Sequence, residues 1–337
     1  MNQAKQSSVA DLQWTGKKRV TRRERFLNEM ERVVPWGRLK ALIEPKYPSA
    51  GRVGRQPVGL DRMLRLYFAQ QWFGLSDEGV EDAVYDSTAL RHFIGVDLQT
   101  VPDATTLLKF RRLLEVNGLT QAIFAEVNAE LEQKGLLMRV GTLVDATIIA
   151  APSSTKNKDH ERDPEMASTK KGQNYYFGMK AHTGVDADSG LVHSLHTTAA
   201  NEHDVTQAHE LLHGQERMVF ADAGYVGLPK RGEIVQAQQQ GQIQAELEFF
   251  VAEKRGRVDK IADAGLKAVT KALETAKAQI RARVEHPYHV IKDLFGYRKV
   301  RYKGLKKNTA QLFSLFALAN LYMARKRLMA LQGTGAS

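Results

Sequence analysis

The feature that most constrains this fold is a carboxylate set inside an apolar run, and it occurs twice. "MRVGTLVDATIIAAP", residues 138–152, holds one acid, Asp145, among β-branched and aliphatic residues. "ERMVFADAGYVG", residues 216–227, passes from apolar residues into Asp222 and then two glycines. Both read as buried strands, where an unpaired charge is costly. A single strand acid is commonly an exposed residue on an edge. Two of them, separated by a hairpin and a helix, are better explained if adjacent strands bring them together on a metal. Neighbouring carboxylates repel, and a divalent cation reverses the sign of that interaction. Mg²⁺ suits the case, since it takes hard oxygen ligands and is commonly held by one or two carboxylates with phosphate oxygens and water. A third carboxylate would complete the set.

The rest of the chain divides by composition and period. Its 337 residues are 43% hydrophobic, enough for a large core and two domains. Residues 1–53 form a basic N-terminal arm with first helices, including the cationic run "KKRVTRRERF" at 17–26. Residues 54–135 show apolar residues at helical spacing, with Asp103 placed as an N-cap, and predict a helical domain. From 136 to 325 the pattern is mixed α/β, with a helical extension over about 230–282, and 326–337 are a tail. Within it, "PSSTKNKDHERDPEMASTKKGQN" (152–174) has almost no large apolar residue and reads as a surface loop. Tyr175–Val185 and Leu191–Thr198 read as a hairpin, and "NEHDVTQAHELLHG" as a helix ending at Gly214. Leu266, Val269, Leu273, Ala276, Ile280 and Val284 describe one face of a later helix, and "LFSLFALANLYM" (312–323) reads as a core helix too short to span a bilayer.

The third acid is found in "RARVEHPYHVIKDLFGYRKVRYKGLKKN", residues 281–308. Arg281, Glu285, His289 and Lys292 would share one helical face, although Pro287 must kink that helix or begin a new one. Nine Lys or Arg stand between 281 and 307 against two acids, with four aromatics interleaved. The formal charge of the chain is +11. Such a block is either a solvated charged face or a track for a phosphodiester backbone. The absence of cysteine excludes disulfides, thiolate metal sites and a cysteine nucleophile, and suits a reducing cytoplasm.

"LVDATIIAAPSS", "FADAGYVG" and the block from Arg281 resemble, in matching order, three blocks of the DDE transposases of the IS5 insertion-sequence family, within the wider IS4-like group. "QPVGLDRMLRLYFAQQWFGLSDEGVEDAVYDSTALRHFIG" resembles their N-terminal domain. The resemblance covers about 42–321. It implies an RNase H-like catalytic domain with a mixed sheet and flanking helices, with Asp145 on the first strand, Asp222 on the fourth and Glu285 on a following helix. Asp145, Asp222 and Glu285 would be the catalytic, metal-binding triad, acting with two Mg²⁺ ions for which Mn²⁺ can substitute. Arg281 and Lys292 fit the wider group's signature around the Glu, whose Tyr position is here Ala278. The implied partners are double-stranded DNA, as terminal inverted repeats and target, and further copies of the chain; no membrane is implied. Arg281, Lys292, Arg298, Lys299, Arg301, Lys303 and Lys180 are the expected DNA contacts. His182, His203, His286 and His289 are the expected supports of the acids, His203 as a helix cap.

One motif competes. "HELLH", residues 209–213, fits H-E-x-x-H, which on a helix supplies two zinc ligands and a base, with Glu233 available as a third ligand. That zinc-peptidase reading leaves Asp145, Asp222 and the basic block without a purpose. A catalytically inactive DNA-binding derivative is the other alternative.

Overall fold

The computed structural model describes residues 18–49, 51, 56–156, 158 and 160–334. The residues up to Lys17 and the last three of the tail, part of the expected arm and tail, lie outside them. The chain divides into two compact units, Met1–Asn117 with Arg325–Ser337, and Gly118–Ala324.

The first unit is helical: α1 (Arg22–Val33), α2 (Trp36–Ile43), α3 (Leu60–Trp72), α4 (Asp77–Asp86), α5 (Thr88–Ile94) and α6 (Ala104–Val116). The cationic run is not an extended arm throughout, because helix begins inside it. Thr21 Oγ1 accepts from Glu24 N at 3.1 Å and the Glu24 carboxylate reaches back to Thr21 N, a reciprocal pair that satisfies two otherwise orphaned donors. Asp103 caps α6, accepting from Thr106 N at 2.6 Å. Leu27, Met30, Tyr67, Phe68 and Trp72 are buried, and Phe26 meets Trp72 edge to face at 5.4 Å between centroids.

The second unit opens with α7 (Leu119–Gln133) and is built on a six-stranded sheet: β1 (Gly141–Ala150), β2 (Ala167–Lys171), β3 (Asn174–Asp186), β4 (Val192–Ala199), β5 (Met218–Ala221) and β6 (Glu248–Val251). β1 lies between antiparallel β3 and parallel β5, and β6 extends the parallel side. The other edge of β3 pairs with β2 along its first half and with β4 along its second. This is an RNase H-like α/β arrangement. Two expectations change. The polar stretch 152–174 contributes β2, whose exposed residues need only backbone pairing to join the sheet. The segment 230–282 contains β6 as well as helices, α9 (Gly232–Gln239), α10 (Arg255–Asp259) and α11 (Ala264–Arg281). Asp222 therefore follows the fifth strand of the chain, not the fourth.

The expected helix from Asn201 to Gly214 also breaks. α8 (Asp204–Gln207) passes into a 3₁₀ turn, Ala208–Leu211, and ends there. After α11, a 3₁₀ turn (Ala282–Val284), α12 (Glu285–His289) and a π turn (Val290–Leu294) follow without interruption, before α13 (Leu305–Thr334). Leu312, Leu315, Phe316, Leu318 and Leu321 of α13 are buried, as expected of a core helix. Its Asn320 is fully buried and satisfied: the side chain accepts from Val192 N at 2.9 Å and donates to Val192 O at 2.7 Å and to Asn128 Oδ1 at 2.8 Å.

Candidate active site

The two strand acids are placed by register. β1 and β5 run parallel with Gly141 beside Met218, Thr142 beside Val219 and Leu143 beside Phe220. Two residues further along each chain (145 − 143 = 222 − 220 = 2), Asp145 is level with Asp222, which lies just past the end of β5. Val144, Val219 and Ala221 belong to one buried apolar cluster with Leu211, Leu228 and Ile234. Side chains alternate along a strand, so Asp145 and Asp222 share the opposite face. Asp222 Oδ1 also accepts from Gly224 N at 2.8 Å and so starts the 3₁₀ turn Ala223–Tyr225. The two glycines after it have separate reasons. A Cβ on Gly224 would stand 2.9 Å from that oxygen, and Gly227 has φ 91°, where a side chain is strained.

Glu285 begins the helix that docks on this acid face. A 3₁₀ turn leads directly into it, and Pro287 is the third residue of α12, within its first turn. Tyr288 Oη lies 2.6 Å from Thr183 Oγ1, and Thr183 is the residue of β3 directly across from Asp145. Lys292 Nζ donates to Thr147 Oγ1 at 2.6 Å and to Ile148 O at 2.9 Å, two and three residues beyond Asp145. The segment is thus tied to the sheet on both sides of the acid.

Burial pushes the Asp145 carboxyl up to about 6, the charges of Asp222 and Glu285 push the same way, and the Ala146 backbone bond and Arg281 oppose them. Three carboxylates therefore act on one another with incomplete neutralisation. Burial likewise holds the Tyr288 and Tyr225 phenols well above their usual range, with the Asp145 charge adding to each.

A model of the transposase DDE domain matches residues 137–321, more than half of the chain, and a transposase domain model (DUF772) matches residues 15–113. The chain belongs to the DDE transposase family. No solved structure matches it. It is an insertion-sequence transposase, an enzyme of a family that binds and cleaves DNA and depends on a divalent metal.

The residues of this transposase fit such a metal in chemistry. Asp145, Asp222 and Glu285 offer hard oxygen donors whose mutual repulsion a cation would relieve. Among the described residues no three His, Asp or Glu side chains stand close enough to hold an ion by themselves. Mg²⁺ does not require such a cage, because phosphate oxygens and water complete its shell. A cavity of about 640 Å³ in the helical unit, lined by Tyr47, Pro57, Phe110 and Leu113 among others, contains none of these acids.

The other expected residues scatter. Arg281 lies within electrostatic reach of Asp145, and Lys292 turns into the sheet. His289 is exposed, as Glu285 is, and pairs with Asp293 at 2.7 Å. Of the four residues expected on one face, Glu285 and His289 keep α-helical spacing within α12, and Lys292, in the π turn, is the one that reaches into the sheet. His286 is exposed. His203 is at the N-cap of α8 but makes no side-chain cap bond, which corrects its expected role. His182 is fully buried, 2.8 Å from Thr198 Oγ1, and burial lowers its imidazole to about 4. Lys180 is engaged internally, donating to Glu202 O at 2.6 Å and lying 2.9 Å from Asp204.

In the basic block, Val300 N donates to Ala150 O at 2.9 Å and Ala150 N to Arg298 O at 3.2 Å, so this segment runs alongside the end of β1. Lys299 and Lys303 are exposed, Arg301 is half-buried, and the exposed Arg298 pairs with Asp293. Tyr297 is core, with its hydroxyl 3.2 Å from Asn308 Oδ1. Tyr288 and Thr183 were missed as supports of the acids. Their only signal was a polar residue opposite Asp145 in the hairpin.

The zinc motif loses its geometry. His209 sits in the 3₁₀ turn and His213 beyond its end, so the i, i+4 α-helical spacing is absent. His209 Nε2 is 3.1 Å from Glu210, His213 pairs with buried Glu216, and Glu233 pairs with Arg231 at 2.9 Å.

Proposed function

We propose that Asp145, Asp222 and Glu285 are the acids that bind two Mg²⁺ ions, replaceable by Mn²⁺, and that the site cuts and rejoins DNA at the terminal inverted repeats of an IS5-family element. One observation carries the reading: two acids level on adjacent parallel strands, with the helix of the third docked on their face through Tyr288 and Lys292. The metal supplies charge neutralisation at the scissile phosphate and a water or hydroxyl of lowered pKa. The chain supplies position. Asp145 and Asp222 are fixed by strand register, and Glu285 by the two anchors that follow it. Arg281 offsets part of the acid charge. Lys299, with Arg298, Arg301 and Lys303, extends a positive track from the end of β1 towards phosphate, while Lys180 serves DNA only by leaving Asp204. His182, which pairs across from Ala146, is on the sheet face away from Asp145 and serves the fold there, and His286 is left exposed. The working form on DNA is a dimer or higher assembly.

The test uses purified protein and DNA carrying the element's own ends. Cleavage with Mg²⁺ or Mn²⁺, none with EDTA, and binding that weakens as salt rises are the expected results. Protein that binds the ends but cuts under neither metal would move the reading to an inactive DNA-binding derivative.

A further inference from the structure

α11 is turned the wrong way round for a helix of a monomer. Its apolar positions Leu266, Val269 and Leu273 are 58%, 67% and 50% exposed, and Ala276 is exposed with them. The half-buried positions of its middle are Lys267, Thr270, Glu274 and Lys277. This polar side is fastened to the unit. Lys277 Nζ donates to Val251 O of β6 at 3.1 Å and to Glu274 at 2.7 Å, Glu274 accepts from Glu253 N at 2.9 Å, and Lys267 Nζ donates to Asp259 O at 2.7 Å. Rolling the helix to bury its leucines would break all of these contacts, so the outward apolar face is held in place.

The spacing of that face is regular. Leu266, Val269, Leu273, Ala276 and Ile280 follow one another at 3, 4, 3 and 4 residues, the a/d seam of a coiled coil, along a helix of about 27 Å. The exposed flank beside the seam carries Gly265, Ala272 and Gln279, none charged, and the opposite flank is Thr270 and Lys277, the latter spent on β6. Lys271 points away from the seam, with Asp259 as its neighbour at 3.8 Å. The exposed cation of the helix, Lys271, lies outside the seam and the two positions flanking it, so no like charges would meet if two such seams were laid together. Gly265, Ala272 and Ala276 permit close approach of the two backbones.

We infer that α11 is a self-association surface on which the Leu266–Val269–Leu273 seam packs against the same seam of a second copy of this chain. The surface is separate from the acids and exists without DNA. It specifies which part of the transposase joins the copies proposed above, and it does not depend on the cleavage chemistry.

The test is sedimentation of the full-length chain over a wide concentration range, beside Leu266→Glu/Leu273→Glu. Wild type should dimerise, and the double variant should dimerise about 100-fold more weakly, with the same unfolding midpoint as wild type at concentrations where both are monomeric, since the seam is exposed in the monomer. Two chains of formal charge +11 repel, so dimerisation should tighten as salt rises, opposite to DNA binding. The cysteine-free chain allows a second readout. Among Leu266→Cys, Val269→Cys, Ala272→Cys and Leu273→Cys, at least one should form a disulfide-linked dimer on mild oxidation far faster than Thr275→Cys, off the seam. A wild type that stays monomeric at every concentration, a dimer that survives the double variant, or seam cysteines that link no faster than Thr275→Cys would overturn the inference. Asp145→Asn protein should dimerise like wild type, so loss of cleavage and loss of dimerisation can be told apart.

Discussion

The two faces of the β1–β5 pair are made by alternate residues of the same strands and obey opposite rules. On one face Val144, Val219 and Ala221 close against Leu211, Leu228 and Ile234, an apolar layer. On the other, Asp145 and Asp222 stand level beneath a helix held by Tyr288 and Lys292, and burial raises the carboxyl of Asp145 with no full counter-charge. The first face is arranged for stability. The second retains repulsion that a bound cation and phosphate would remove, so it should contribute to activity at the expense of the metal-free fold.

The largest effect should come from the acid face. Asp222→Ala should lower strand cleavage on the order of 10³-fold, several kcal/mol of transition-state stabilisation, while end binding changes little. Gel assays of cleavage and binding on the same DNA check this. Equal loss of both would mean that Asp222 serves the fold instead, and the contrast between faces would fail.

Leu211→Ala tests the apolar face. Filling of that layer is lost without any change of charge, so stability should fall by about 3 kcal/mol, while cleavage per folded molecule stays near wild type. Urea unfolding with an activity assay at low temperature separates the two.

Asp145→Asn should act in the opposite direction. The folded carboxyl titrates near 6 against 3.8 for the free group, so well below 3.8 it is neutral in both states and costs nothing. As pH rises through 4 to 6 the unfolded chain ionises first and wild type loses stability, by at most about 3 kcal/mol at pH 7 in the absence of metal. Unfolding in EDTA should find Asp145→Asn more stable than wild type at pH 7, with the difference closing as pH falls below 3.8. Mg²⁺ should raise the wild type and leave the variant nearly unchanged.

The smallest effect concerns the anchor between helix and sheet. Tyr288→Phe removes the bond to Thr183 Oγ1 and should cost about 1 kcal/mol, and a cycle with Thr183→Val should show a coupling of similar size. Additive losses would mean that the two hydroxyls do not support each other.

Much of this contrast was legible in the chain. Asp145 and Asp222 were visible because a charge inside a β-branched run conflicts with its surroundings, and the hairpin beyond β2 followed from alternation around "DADSG". The helix after Glu285 was legible in its existence but not in its phase. A 3.6-residue period puts Arg281, Glu285, His289 and Lys292 in line; that spacing holds from Glu285 to His289 within α12, and the 3₁₀ and π turns on either side separate Arg281 and Lys292 from it, Lys292 reaching into the sheet. The same limit affected "HELLH", where the pattern fits a zinc helix and the backbone forms a 3₁₀ turn. β2 was missed because its partners, not its own side chains, make it a strand.

The sequence by itself determined the order of elements, the apolar stripes and the three acids with their basic company, since these depend on periodicity and on charge placed where it is costly. Only the tertiary structure decided which faces met. The pairing of β1 with β5, 77 residues apart at Thr142 and Val219 (219 − 142 = 77) and wholly non-local, sets Asp145 level with Asp222. The polar anchors of α11 turn its leucines outward although its pattern reads like that of any core helix. Register and helix rotation are settled by contacts between distant segments, and a period along the chain contains no information about which partner lies opposite.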